Sequence, residues 1–141
     1  MTIQPQTAIT IGVLLLALVT VESGGYFLTR VVRSHVEANL LQRNFYRAGH
    51  AHAAVLLILG MLILVVTDAV GFTEGWLAGV GRLLVPVAAI LMPAGFFLSV
   101  LGRDPERPNR LILLLWLGAA SLTAGLLITG IGVIARAAAA L

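Results

Sequence analysis

Cysteine and lysine are both absent from the 141 residues, and charged residues of either sign make up only 11% of them. Without cysteine the chain can form no disulfide, thiolate metal site, iron–sulfur cluster or covalently attached c-type haem. Soluble domains carry about 25% charged residues, so the scarcity of charge argues against a soluble fold. Also missing are a Walker loop, a dinucleotide fingerprint, a His-Glu-x-x-His zinc pair and a nucleophile elbow. These absences exclude an ordinary soluble-type hydrolase or dehydrogenase. No catalytic residue is expected, and a non-enzymatic role is expected over an enzymatic one. The formal charge of +3 comes from nine arginines spread along the chain, so no nucleic-acid partner is expected. An all-arginine basic set reads as a coding bias rather than a functional signal.

Hydrophobic residues are plentiful, at 60%. Charges divide them into four runs, about 7–28, 49–66, 83–101 and 111–135. Each has roughly the 20 residues that a helix needs to cross a bilayer core of about 30 Å. The runs are nearly continuous in Leu, Val, Ile and Ala, without the alternation of a barrel strand, and lipid offers no partner to an unpaired backbone group. The fold class expected is therefore all-α: a polytopic integral membrane protein with four transmembrane helices in an up-down bundle, forming a single domain over 1–141. Between the first two spans, Val31–Ala48 carries Val32, Val36, Leu40, Leu41 and Phe45 at helical spacing, punctuated by Arg33, Glu37, Arg43 and Arg47. It reads as an amphipathic cytoplasmic segment lying on anionic lipid, or as helical extensions of the two spans.

Arginine placement sets the orientation. Arg30, Arg33, Arg43 and Arg47 of the first loop and Arg103, Arg107 and Arg110 of the third fall on one side, against Arg82 and Arg136 on the other. The positive-inside rule puts loops 1 and 3 in the cytoplasm and both termini outside. Met1–Gln6 has no positive charge and no Ala-x-Ala site follows the first run, so that run reads as a span and not a cleaved signal peptide. Trp76 suits the outer interfacial belt, Asn109 the N-cap of the fourth span, and Pro86 the first turn of the third. Pro93, mid-span, predicts a kink. Asp68 and Glu74 read as solvated in the outer loop, and Met61 and Met92 as packing residues. Ser121, Gly125 and Thr129 form a small-residue stripe within the bundle or between protomers.

Glu22 lies well inside the first span, where a carboxylate must face the bundle, be protonated or pair. It shares a stripe with Tyr26, Arg30 and Arg33, beside the small residues Ser23, Gly24 and Gly25. At the start of the second span, His50 and His52 sit at i, i+2 and so point about 200° apart on a helix. His52 is read as the inward one, within reach of Glu22, and His50 as turned toward headgroups, Arg47 or another protomer. This makes His52, His50 and Glu22 candidate ligands for haem b or a transition metal, and Glu22 a candidate proton carrier. Tyr26, Ser23 and Arg47 stand beside them in support.

The run Phe45-Tyr46-Arg47-Ala48-Gly49-His50-Ala51-His52 resembles an aromatic-x-Arg-Ala-Gly-His-Ala-His motif of small four-helix bacterial membrane proteins. Glu22–Gly25, Met92–Ser99 and Arg107–Arg110 fit the same likeness, which implies the fold and a bacterial inner membrane but no activity. About a dozen residues around the Phe45–His52 run are also locally similar to a haem-ligating helix of the haem-copper oxidases. The histidines of that family's later helices are missing here, so the likeness implies at most haem b held with help from a second protomer. In span count and placement of Glu22 the chain is also similar to small multidrug resistance exporters, an analogy of arrangement that implies proton exchange in a dimer. Three expectations follow: a haem- or metal-binding membrane protein, a non-catalytic subunit or assembly factor of a larger membrane complex, and a proton-coupled transporter using Glu22. The partners expected are membrane lipid and either further copies of the chain or a larger complex.

Overall fold

A computed structural model describes residues 3–141 as four long helices, with no strand among them. They are α1 (Pro5–Val32), α2 (Leu40–Ala69), α3 (Trp76–Ser99) and α4 (Leu113–Ala138), the last entered through a 3₁₀ turn at Arg110–Ile112. All four are long and apolar enough to cross a membrane. The all-α four-helix bundle expected from the sequence is therefore what the chain forms.

Each helix starts where the local chemistry provides a start. Pro5 stands at the first position of α1, where its missing N–H costs nothing. Asn39 and Gln42 form a reciprocal capping box at the head of α2. The Asn109 side chain accepts from the Leu111 N–H, at 2.8 Å, and so caps the 3₁₀ turn ahead of α4. Its own amide reaches back to the Leu98 carbonyl at 3.0 Å, which pins the end of α3 beside the start of α4.

Helix boundaries differ from the apolar runs at the charged positions. The segment 40–48 is the first two turns of α2, and Arg33–Asn39 is non-helical, so the amphipathic stretch extends a span and is no separate surface helix. Helix α3 begins at Trp76, ahead of Arg82, which places Pro86 inside the helix and not in its first turn. The charge at Arg82 marks no boundary because Asp68 neutralises it. Trp76, 75% exposed, does stand at the helix end, where an interfacial ring belongs.

Helix α3 is the central element. It packs antiparallel on α4 through glycines that bring the backbones close: Gly95 faces Leu115, Gly118 faces Met92, and Gly125 faces Val85. Ser121 adds a hydrogen bond of 2.8 Å to the Leu84 carbonyl, and Thr129 is buried and bonded to the Gly125 carbonyl of its own helix. The stripe on the fourth span therefore serves the interior of the bundle. On the other flank, Gly49 of α2 sits against Phe96 and Phe97, and Gly60 against Pro86. Leu14, Leu56, Leu57, Leu64, Ala89 and Met92 form the apolar core, with Met61 packed on it, so both methionines are packing residues. Helix α1 is peripheral: 6% of its most apolar stretch is buried, against 39% for α2 and for α3.

Candidate functional site

Two polar sites lie at opposite ends of the bundle. The one anticipated from the sequence is near the arginine-rich end, where α1 crosses the first turns of α2. Ten residues separate Glu22 from the end of α1 at Val32, and ten separate His50 from the start of α2 at Leu40. At 1.5 Å per residue both lie about 15 Å along their helices. The His50 ring lies against Gly24 and Gly25, so it is within about one helical turn of Glu22 on an antiparallel neighbour.

His50, not His52, is the histidine turned toward α1. Its ring covers the Gly24–Gly25 step, where a Cβ on Gly24 would stand 3.4 Å from Nδ1 and one on Gly25 3.6 Å from Nε2. The two glycines thus make room for an imidazole, a specific use of the small residues next to Glu22. His52 faces α3, its ring centroid 5.0 Å from that of Phe96. Its Nδ1 is 2.8 Å from the Ala48 carbonyl one turn earlier. His52 does face inward, but toward α3 and out of reach of Glu22, while His50 turns to α1 and not to headgroups, Arg47 or another protomer. The i, i+2 separation correctly sends the two rings to different neighbours, but packing decides which neighbour each meets.

Around His52 the helices are joined by aromatic rings. Tyr46 is stacked on Phe97 at 5.6 Å and meets Phe27 edge-on at 5.5 Å, and Phe45 meets Phe96 edge-on at 5.6 Å. Below them Gln42 is buried and donates to the carbonyls of Val100 and Gly102, at 3.0 and 3.1 Å. This end of the bundle is well fixed.

Glu22 is exposed, and its carboxylate makes no hydrogen bond or ion pair with the described residues. Ser23 and Tyr26 are exposed with it, Tyr26 at 70%. The hydroxyls of Thr20, Ser23 and Thr29 donate to carbonyls of their own helix. Glu22, Tyr26 and Arg30 therefore mark the outer face of α1, with Arg33 exposed just past its end. Glu22, His50 and His52 do not converge, and among the described residues no group of three or more His, Cys, Asp or Glu could hold a metal ion. Of the supporting residues, Arg47 is exposed on α2 at the mouth of a small cavity beside the end of α1.

The second site, at the end of the bundle that carries both termini, was not anticipated. Asp68, read from the sequence as a solvated loop residue, is in the last turn of α2 with its side chain fully buried. It accepts from Arg82 of α3 at 2.7 Å, from the Thr7 hydroxyl at 3.1 Å and from the Gln4 backbone N–H at 2.8 Å. Arg82 also donates to the Thr7 hydroxyl. One carboxylate thus ties the start of α1, the end of α2 and the first turns of α3 together, and satisfies a free N–H at the head of α1. The signal available beforehand was a lone acid and a lone base on successive helices, across a short loop. Glu74 is exposed, as expected. No protein-family model, curated protein or solved structure matches the chain.

Proposed function

We propose that the protein is a non-catalytic subunit of a larger assembly in the bacterial cytoplasmic membrane, docking through the outer face of α1 onto a transmembrane helix of another polypeptide. The observation that carries this reading is Glu22. It is a carboxylate some 15 Å along a membrane-spanning helix, exposed and without a partner in its own chain. Left against lipid, an ionisable side chain costs several kcal/mol, so a neighbouring helix that supplies a hydrogen-bond donor at that depth is the economical solution. Tyr26 and Ser23 extend the same face, and the small buried fraction of α1 leaves most of it free for such a helix. A second copy of the chain fits less well, because it would set one Glu22 against another. Seven arginines against two support the orientation in which the loops at 33–39 and 100–109 are cytoplasmic and both termini are outside.

A photo-crosslinking residue placed at Tyr26, in native membranes, tests the reading. The expected result is an adduct with a different membrane polypeptide that disappears with Glu22→Leu, and none from Ile134, exposed on α4. Adducts with lipid alone, with another copy of the chain, or insensitive to Glu22→Leu would overturn it.

A cofactor reading is favoured by one separate observation, the His50 ring held over Gly24–Gly25 at the depth of Glu22. On that reading His50 and Glu22 contribute to a haem b or transition-metal site completed by the partner helix, and His52 does not take part. Absorption spectra of the oxidised and reduced complex, with and without His50→Ala, test it. Proton exchange by Glu22, the transport alternative, would take place at the same helix interface.

A further inference from the structure

Near the arginine-rich end, α1 and α2 frame an open cavity of about 220 Å³ lined by Leu28, Val31, Val32, Arg43 and Arg47. Its composition is divided. Leu28, Val31 and Val32 of α1 supply an apolar wall, while Arg43 and Arg47, one turn apart on α2, supply two cations on one face. Neither arginine has an acid within ion-pair distance among the described residues, where the single ion pair is Asp68–Arg82 at the other end. Arg43 gives its Nε proton to the Ala38 carbonyl, at 2.9 Å, and Arg47 makes no hydrogen bond to the described residues. Both guanidinium groups are exposed, and Arg43 keeps its terminal N–H groups free for a ligand.

We propose that this cavity binds the phosphate of an anionic phospholipid from the cytoplasmic leaflet. Two unpaired guanidinium groups on adjacent turns favour a phosphodiester with net negative charge over a zwitterionic headgroup, which brings its own cation. The two arginines also precede the apolar run of α2 and stand level with the last turn of α1, the position expected of a headgroup if both helices span the membrane. Val31 is 2% exposed and Val32 68%, so the wall runs from the protein core out to the lipid and can follow a glycerol backbone and the start of an acyl chain. A free phosphate ion has no use for that wall. Basic pockets between transmembrane helices on the cytoplasmic side bind anionic headgroups for these reasons. The site is independent of the Glu22 face, because it needs no partner polypeptide.

The test is a titration of the purified protein in mild detergent with phosphatidylglycerol, phosphatidylcholine or inorganic phosphate, followed by native mass spectrometry and thermal unfolding. Phosphatidylglycerol is expected to bind and stabilise, and the other two to do neither. Arg43→Gln with Arg47→Gln should weaken phosphatidylglycerol about thirty-fold, roughly five- to sixfold per arginine, while Arg103→Gln with Arg107→Gln changes it less than about threefold. Val32→Trp, at an exposed position, should block the cavity with every charge kept, and so tests the site even if the arginine variant fails to fold. Equal weakening by the two arginine pairs would overturn the proposal in favour of a diffuse basic surface. Equal binding of phosphatidylcholine, binding of phosphate alone, or undiminished binding in Val32→Trp would overturn it too.

Discussion

Replacing Asp68 should release α1 from the bundle. The carboxylate is fully buried and accepts from Gln4, Thr7 and Arg82, whose own side chain is 12% exposed. Asp68→Ala removes one member of a desolvated pair and leaves the Arg82 charge without its counter-ion, a change that typically costs about 3–5 kcal/mol. Arg82 lies in the second turn of α3, close to the end of the bundle, where water can reach it once the site opens, so the lower end, about 3 kcal/mol, is expected. Arg82→Ala should cost a similar amount. The double variant leaves no orphaned charge and should be destabilised by less than the sum, with a coupling of about 1–3 kcal/mol. The assay is a double-mutant cycle by reversible unfolding in mixed detergent micelles, with hydrogen exchange recorded along the chain. Because α1 buries so little of its surface, exchange in Asp68→Ala should rise over 5–20 and stay unchanged in the glycine-packed α3–α4 pair. Additivity within about 0.5 kcal/mol, or a uniform rise in exchange, would refute the assignment of Asp68 as the clasp of α1.

Other substitutions probe the remaining contacts. A Cβ at Gly95 would stand 2.8 Å from the Leu115 Cα, whereas one at Gly130 meets nothing within 4 Å. Gly95→Ala should therefore cost about 1–3 kcal/mol or more by forcing α3 and α4 apart, with Gly130→Ala neutral within about 0.5 kcal/mol, read as unfolding temperatures. Gln42→Leu strands the carbonyl of Val100 and the N–H of Asn39, and should destabilise by about 1–3 kcal/mol, measured in the same micelles. Gly24→Leu should displace the His50 ring and alter any cofactor spectrum, while His52→Phe, which keeps a ring against Phe96, should leave that spectrum unchanged.

The number of spans, their helical nature and the absence of thiolate chemistry were legible in the sequence, because each follows from composition and run length alone. Capping was partly legible too: Asn109 lies where a side-chain oxygen is needed, and the structure uses it. The i, i+2 spacing of His50 and His52 was enough to separate the two rings. What it could not supply was the rotation of each helix. A helix apolar on nearly every side carries no amphipathic signal to say which face is inward, so small residues and shape decide. Gly24 and Gly25 admit His50, Gly49 brings α2 against the Phe96–Phe97 pair, and Glu22 is left on the outside as a result. The Asp68–Arg82 pair escaped for a related reason. Read along the chain, each charge ends an apolar run. Only when α1, α2 and α3 come together does each charge meet its counter-ion, and burial then stabilises a clasp where sequence alone suggested a solvated loop.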